Sequence, residues 1–368
     1  MTVEGVRLES KWIISGREDL TWFIGSSLVS YAVLALMAAG FPLTPLFIIW
    51  LAGIDGPHVV ATFTRTYFDN TERRRLGLLL WILLPASIIG PLMVRAGAEL
   101  FFYAGAITWL HYHIAKQHFG FVMLYKVKAK ERERADYLLD RWFLLSSLML
   151  PFVRFLLQTV FAPLYASPAV HVIQLVVLAA YVGLAGVFVL RQCRRWKAGH
   201  TINAPKLMVM LAIIPLQWIT FTYAAGFGYE GIRRAGIVLG LFHSFQYHRL
   251  MWFHNHNRYS DPEVEATAGP AAVLAKRFVY YFGAALGLNL LLNLLPAYTV
   301  PGPYVNAALW GLAFTHYILD SKIWRVRGDK QLAAALRLNQ PATPASSSAA
   351  SPLPGRTIAG SAVLVPPR

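Results

Sequence analysis

The sequence predicts an all-α protein: a polytopic integral membrane helical bundle of about ten transmembrane helices. Three observations support this fold class. The 368 residues have a mean hydropathy of +0.47, and 56% of them are hydrophobic. Only 14% are charged, whereas roughly a quarter of the residues of a typical soluble domain are charged. The apolar residues form long runs, and the basic residues lie in the short stretches between them.

Ten runs are long enough to cross a bilayer, which requires about 20 mostly apolar residues in a helix. They lie at approximately 20–40, 42–64, 76–94, 99–125, 138–158, 169–190, 206–226, 235–257, 274–295 and 303–324. The fourth and eighth runs are the most polar. Because no apolar run precedes Leu20, we expect no cleavable signal peptide.

Basic loops alternate with loops that hold few charges. Lys and Arg cluster before the first span and after the second, fourth, sixth, eighth and tenth, whereas the opposite loops hold only Arg95, Arg233 and Arg234. Cytoplasmic loops are enriched in basic residues. The alternation therefore predicts a protein of the cell (inner) membrane with both termini in the cytoplasm. It also accounts for the net charge of +16, so we expect no nucleic-acid partner.

Composition divides the chain into two regions. Residues 1–338 contain all the long apolar runs and form the predicted transmembrane domain. Residues 339–368 are rich in Ala, Ser and Pro, which predicts a disordered tail. The single cysteine, Cys193, excludes an internal disulfide and a cysteine-ligated cluster.

Nine of the eleven histidines lie in the second, fourth, eighth and tenth spans. These spans also carry carboxylates and amides, and the candidate site residues among them are Asp55, His58, His111, His113, Gln117, His118, His243, Gln246, His248, His254, His256, His316 and Asp320. In the second span, Pro57 lacks a backbone donor and disturbs the preceding turn. We expect it to turn Asp55 and His58 inward and to free carbonyl groups that need polar partners.

The relative depth of the histidines follows from counting back from the first basic residue after each span. His58, His118, His248 and His316 lie seven, eight, ten and nine residues before Arg65, Lys126, Arg258 and Arg325. At about 1.5 Å per residue, these four histidines share a layer about 5 Å deep. Asp55 and Asp320 fall near this layer, and His111 and His243 form a second layer, each fifteen residues before its marker.

The layered histidines predict a metal centre, because neutral imidazole is the commonest metal ligand. The predicted ligands are His58, His111, His118, His243, His248, His316 and Asp320. Further ligands, or residues that orient a ligand, are Asp55, His113, His254, His256, Gln117 and Gln246. His113 lies about 200° around the helix from His111, which turns it toward lipid headgroups or another helix. His254 and His256 lie so near the cytoplasmic end that an interfacial role is an equal alternative.

The ligand types favour one kind of metal. Imidazole suits iron, copper and zinc, and an adjacent carboxylate suits iron or manganese. We therefore expect one or two non-haem irons, with haem or another transition metal as the alternative. Such iron would act with oxygen in hydroxylation, desaturation or oxidative cleavage of a hydrophobic, membrane-soluble substrate. An electron-donor protein would be a further partner.

The histidine pattern resembles that of the histidine-rich membrane-bound non-haem iron oxygenases. His111-x-His113-x4-His118 is similar to the histidine boxes of the fatty-acid desaturase, hydroxylase and alkane monooxygenase group, although the HxxHH box is missing. Gly56-Pro57-His58 and His118-Phe119-Gly120 resemble the Pro-His and His-Phe-Gly elements of Brp/Blh-type carotene oxygenases, whose histidines lie within transmembrane helices. The resemblance implies a membrane-embedded iron oxidoreductase.

Three other functions remain open at this point. Paired histidines on facing helices are typical of a haem-binding or quinone-linked redox protein. Histidines that line a path are typical of a metal-ion or proton-coupled transporter. A transmembrane histidine is also often only a hydrogen-bonding residue between helices, as in a membrane scaffold without catalytic activity.

Overall fold

A computed structural model describes residues 2–3, 6–9 and 11–338 of the chain, which fold almost entirely into helices. Ten of these helices are long, and we number them α1 to α10. They are α1 (Gly16–Ala38), α2 (Leu43–Arg65), α3 (Leu78–Arg95), α4 (Glu99–Lys128), α5 (Arg134–Thr159), α6 (Pro168–Lys197), α7 (Ala204–Phe227), α8 (Tyr229–Arg258), α9 (Phe278–Thr299) and α10 (Pro303–Ile323). The prediction of an all-α protein is confirmed for the described residues.

Seven of the ten helices are long and apolar enough to cross a membrane: α1, α2, α3, α5, α6, α7 and α9. The other three, α4, α8 and α10, contain 30, 30 and 21 residues. They are less apolar because most of the buried histidines and several charged residues lie on them. The chain is therefore a helical membrane protein, and the number of crossings stays a prediction.

Several of the long helices contain irregular turns. A π-helical segment interrupts α1, α2 and α9, at Asp19–Ile24, Leu51–Asp55 and Leu290–Leu294. A 3-10 segment lies within α3 at Pro85–Ile88 and at the end of α7 at Ala225–Phe227. The irregularity in α2 directly precedes Pro57, where the sequence predicts a disturbed turn.

Short elements connect the long helices. The short helices are Asn70–Leu76, Ala162–Tyr165, Pro262–Ala268, Pro270–Leu274 and Lys330–Ala335. Three short strands form a small sheet: β1 (Thr2–Val3), β2 (Val6–Glu9) and β3 (Ile202–Asn203). β2 pairs antiparallel with β1 and parallel with β3.

Four helices meet at the centre of the bundle. α2 packs against α8, α9 and α10, and α4 contacts both α8 and α10. α8 is the most buried of the long helices, since 19 of its residues are shielded from solvent. In contrast, α6 packs mainly on α5 and presents nearly all of its side chains outward, with only Phe188 buried. Polar side chains on α2, α4, α8 and α10 are thus brought to a common interior.

The last described residues pack onto the bundle. Leu332, Leu336 and Leu338 are buried in a cluster that also contains Ile13 and Phe23 from the start of the chain. The backbone carbonyl of Ala335 also accepts a hydrogen bond from Asn257 in α8. The predicted tail, 339–368, lies outside the described residues.

Candidate metal centre

Four buried imidazoles converge where α2, α4, α8 and α10 meet. They belong to His58, His113, His243 and His316, and one ring nitrogen of each lies within 4.8 Å of a ring nitrogen of every other. The rings of His58 and His316 have centroids 4.7 Å apart, and the rings of His113 and His243 have centroids 5.1 Å apart. Each of the four helices thus contributes one histidine to the group.

Hydrogen bonds fix the orientation of two of these rings. His58 Nδ1 lies 2.7 Å from the backbone carbonyl oxygen of Asp55, and His316 Nδ1 lies 2.6 Å from Thr62 Oγ1. When each Nδ1 carries the proton, it donates to its oxygen and leaves the Nε2 lone pair free. Metal-ligating histidines typically donate their second ring nitrogen in this way, which sets both tautomer and ring angle.

Several ring nitrogens of the group lack a partner. His113 Nε2, His243 Nδ1 and His316 Nε2 are buried and have no hydrogen-bond partner among the described residues. The Nε2 atoms of His58 and His243 face each other at 3.1 Å. Buried polar atoms in native proteins are almost always satisfied, by protein, water or an ion. A cation at the centre of the group would satisfy His113 Nε2 and His316 Nε2 together with the facing nitrogens of His58 and His243.

Asp320 adds a carboxylate on the α10 side of the group. Its Oδ1 accepts hydrogen bonds from Thr62 at 3.1 Å and from Tyr247 at 3.0 Å. Its Oδ2 lies 3.7 Å from His316 Nε2 and 4.0 Å from His113 Nε2. One oxygen is therefore held by the protein, and the other faces the imidazoles.

The spacing of the four nitrogens suits a single ion. Bonds of about 2.0–2.1 Å to a tetrahedral ion separate neighbouring nitrogens by about 3.3–3.4 Å. The 3.1 Å between His58 and His243 already matches this value. The widest spacing allowed by the 4.8 Å limit would close by an inward shift of about 1 Å per ring on binding. The residues therefore fit a transition-metal ion, with Asp320 as a further oxygen ligand.

The irregular turn of α2 beside His58 is supported by side chains of other helices. Asn289 of α9 donates to the carbonyls of Leu51 and Ala52, each at 3.2 Å. His248 Nε2 donates to the carbonyl of Ile54 at 3.2 Å, while its Nδ1 accepts from the Tyr281 hydroxyl at 3.0 Å. The carbonyls freed near Pro57 thus have the polar partners that the sequence leads us to expect. Both nitrogens of His248 are engaged in this support.

His111 and His118, two predicted ligands on α4, lie on the opposite side of that helix from the group. His111 Nε2 donates to the carbonyl of Leu148 in α5 at 3.0 Å, and its ring stacks on Phe152. His118 Nδ1 donates to the carbonyl of Ile114 at 2.8 Å. The seven-residue spacing does put both on one side of α4, but His111 turns toward α5 and the ring of His118 packs on Phe242 of α8. The sequence predicts that His113 faces lipid headgroups or another helix. In the structure, His113 is the histidine of α4 that belongs to the group.

The remaining sequence-predicted residues lie around the group. Gln117 joins α4 to α8 by donating to the carbonyl of His243, and Gln246 donates to the carbonyl of Phe23 in α1. His254 is buried against Trp324, and His256 is exposed beside Trp252. Asp55 accepts from the Ser244 hydroxyl at 2.9 Å and lies 3.4 Å from His58 Nδ1. It is thus placed to orient His58.

The depth layers predicted from basic residues differ from the observed arrangement. The four histidines that converge lie seven, thirteen, fifteen and nine residues before the marker residues of their spans. Three of those markers, Arg65, Lys126 and Arg258, are buried inside the protein. Arg65 donates to the carbonyl of Ile323, and Lys126 pairs with Asp140. A basic residue held by such contacts takes its position from the protein, so the number of residues between it and a histidine of the group differs from helix to helix.

Three further residues with hydroxyl groups lie at the site but were not predicted from the sequence: Thr62, Tyr247 and Tyr317. Tyr317 stacks on the ring of His113, with centroids 4.5 Å apart. Thr62 and Tyr247 each lie four residues after a histidine of the group, on the same face of the same helix. This four-residue spacing from a histidine could have identified Thr62 and Tyr247 from the sequence alone.

A cavity of about 1090 Å³ leads to the group from the end of the bundle where α4, α8 and α10 begin. Glu99, Tyr229 and Asn306 line its entrance, and His58 and Tyr317 line its inner end. Most of the remaining lining is aliphatic or aromatic. Such a mostly apolar cavity with a few polar groups at one end is typical of a site for an apolar ligand.

No protein-family model matches this chain, and neither a curated protein nor a solved structure matches it.

Proposed function

We propose that this chain is a membrane-embedded, metal-dependent oxidoreductase that acts with oxygen on a lipid-soluble substrate. The observation that carries the proposal is the convergence of His58, His113, His243 and His316 from four helices at the inner end of an apolar cavity. The proposed centre is non-haem iron, held by these imidazoles and by Asp320.

Support for a metal comes from the state of the ring nitrogens. Three buried nitrogens of the group lack a partner among the described residues, and two others face each other at 3.1 Å. His111 and His248, outside the group, pair with neighbouring helices. His118 and His254 each also have a buried nitrogen without a partner among the described residues, but neither belongs to the group of converging nitrogens. The hydrogen bonds at Nδ1 of His58 and His316 also support a metal site, because they leave Nε2 of each ring free to bind an ion.

Support for iron comes from the donor set and the surroundings. Several imidazoles with one carboxylate suit iron, and no cysteine is among the residues that surround the group. When bound, iron would supply the redox change and the open positions at which oxygen reacts. The residues of the chain would hold the ion, exclude water and place an apolar substrate beside Tyr317. An electron-donor protein would complete the cycle.

The other functions fit the geometry less well. A haem between two axial histidines needs a gap wide enough for the macrocycle, but neighbouring rings of the group lie only 4.7–5.1 Å apart by centroid. A cation transporter needs a path on both sides of its site. Here the buried guanidinium of Arg65 lies on the α2 turn after Thr62, where its positive charge opposes the passage of a cation.

We further propose that all ten long helices cross the cell (inner) membrane and that both termini lie in the cytoplasm. The basic loops on one side of the ten-helix arrangement support this orientation. The three histidine-bearing helices that are less apolar would be tolerated in the membrane because their polar side chains face the interior of the bundle.

The decisive experiment compares two histidines of α4. We expect purified wild-type protein to carry iron, measured by elemental analysis, and His113→Ala to lose most of it. His118→Ala should keep wild-type iron content, because His118, which is also buried, forms a hydrogen bond only within its own helix. Both variants should insert normally, since removing a polar group from a membrane helix favours insertion.

The proposal fails if the wild type binds no transition metal when expressed in iron-replete medium. It also fails if His113→Ala and His118→Ala retain the same iron content as the wild type. Loss of iron in His118→Ala alone would restore the ligand set predicted from the sequence and reject the one proposed here.

A further inference from the structure

A second cavity, of about 420 Å³, lies at the surface where the loop between α4 and α5 meets the end of α6. Its lining is rich in cations: Lys130, Arg132, Arg191, Arg194 and Arg195. Only two carboxylates, Glu131 and Glu133, line it as well. The volume falls within the range of about 300–1,000 Å³ that is typical of ligand sites.

The carboxylates at this cavity are already engaged. Glu131 pairs with Lys126 at 3.2 Å and Lys206 at 3.1 Å, beneath the cavity. Burial raises the pKa of Glu131, but those two ammonium groups outweigh it and hold the pKa below its usual value. Glu133 pairs with Arg191. Neither carboxylate is therefore free to neutralise the other cations.

A third carboxylate, that of Asp136, does not line the cavity but forms ion pairs with two of its arginines. It is buried, and it binds Arg191 at 2.8 Å as well as Arg195. The remaining three cations, Lys130, Arg132 and Arg194, have no carboxylate within 4.0 Å among the described residues. All three are exposed. The cavity therefore has an excess of positive charge that faces outward.

The position of the cavity indicates which kind of anion would bind in it. It lies at the end of α6, whose side chains face outward along nearly the whole helix and are strongly apolar. This surface contacts lipid chains if α6 crosses the membrane. Trp196, exposed in the last turn of α6, is the residue type found at the level of lipid headgroups.

We propose that this cavity binds the headgroup of an anionic phospholipid, with its acyl chains along α6. Arginine and lysine pair strongly with phosphate oxygens, and basic pockets at the ends of transmembrane helices bind anionic headgroups. The site is separate from the imidazole group and does not depend on the proposed oxidoreductase activity.

The test uses the full-length protein in detergent, with lipid binding measured by native mass spectrometry. We expect phosphatidylglycerol to bind more tightly than phosphatidylcholine of the same chain length. The double variant Arg132→Gln, Arg194→Gln should weaken phosphatidylglycerol binding about 30-fold, since each basic side chain near the surface contributes about fivefold. Its binding of phosphatidylcholine should not change.

The matched control is Arg325→Gln, Arg327→Gln, which removes the same charge from exposed residues that do not line the cavity. It should retain wild-type binding of phosphatidylglycerol. The proposal is overturned if both double variants weaken binding equally, because that result would reflect overall charge. It is also overturned if the wild type does not prefer phosphatidylglycerol, or if only inorganic pyrophosphate binds in a manner sensitive to Arg132 and Arg194. Iron content should be the same in all variants, so loss of lipid binding does not bear on the metal centre.

Discussion

Thr62 of α2 forms hydrogen bonds with two residues of α10, His316 of the imidazole group and Asp320 beside it. Its single hydroxyl lies 2.6 Å from His316 Nδ1 and 3.1 Å from Asp320 Oδ1. An oxygen in this position accepts from the imidazole and donates to the carboxylate, so it sets the ring tautomer and the carboxylate rotation together. Such supporting contacts typically change metal affinity by about 10–100-fold.

We therefore expect Thr62→Val to lower iron affinity by about 10–100-fold, measured by competition with a chelator. Valine keeps the size and β-branching of threonine but removes the hydroxyl. Thr64→Val is the control, because Thr64 is equally buried on the same helix and bonds only to the carbonyl of Ala61. Equal affinity in Thr62→Val and the wild type would show that His316 is oriented by other contacts.

At the residue scale, the sequence identifies candidate metal ligands better than it predicts which neighbouring helix each one faces. His58, His243 and His316 stand out because histidine within an apolar run is costly and needs a reason. The face of α4 could not be chosen in the same way, since His111 and His118 lie on one face and His113 on another. The outcome depends on which helices pack against each face, and that information lies in distant parts of the chain. Which of the basic residues are buried depends on the same contacts.

At the scale of the element, the irregular turn of α2 is the feature that places His58. Gly56 lies in tight contact with Asn289, and a methyl group at this position would collide with the Asn289 amide. The same amide donates to the carbonyls of Leu51 and Ala52. The missing side chain at Gly56 thus lets α9 approach closely enough to satisfy the π-helical segment.

We expect Gly56→Ala to destabilise the protein by about 1–3 kcal/mol, as overpacking usually does, and to lower iron content. A thermal unfolding experiment in detergent and elemental analysis measure the two effects. Gly53→Ala lies one turn earlier on the same helix, where an added methyl group meets nothing within 4 Å. It should unfold at or above the wild-type temperature. If both variants behave like the wild type, the close approach of α9 is not needed.

At the scale of the whole molecule, the sequence predicts well which segments form long helices. It predicts less well where the more polar helices begin and end. Runs of apolar residues form helices because a backbone in lipid must satisfy its own hydrogen bonds, and this rule needs no knowledge of the partners. The ends of α4 and α8 are harder to predict. Polar residues there lie in the interior, where neighbouring helices make them tolerable.

Reporter fusions test the orientation. Fusions after Ala135 and at the C-terminus should both report a cytoplasmic location, because the loop between α4 and α5 and the C-terminus lie on the side rich in basic residues. A fusion after Gly97, between α3 and α4, should report the opposite side. A periplasmic signal from Ala135 would contradict the ten-helix arrangement.

Truncation separates the packed segment from the predicted tail. Removing residues after Leu338 should leave the unfolding temperature and iron content unchanged, since the predicted tail has too little apolar surface to order itself. Removing residues after Arg327 should lower the unfolding temperature, because it takes away the buried side chains of Leu332, Leu336 and Leu338. Equal unfolding temperatures for the two truncated proteins would show that this cluster contributes no stability.

The distance along the chain between the contributing residues also matters for how the protein is made. Thr62 and Asp320, joined by a hydrogen bond in the folded protein, are 258 residues apart in sequence. At a synthesis rate of about 5–20 residues per second, α2 leaves the ribosome roughly 10–50 seconds before α10. During that interval, Asp55, His58 and Thr62 must enter the membrane without their partners from α8 and α10. The polar side chains of the newborn α2 therefore lack their native hydrogen-bond partners until α8 and then α10 have been made.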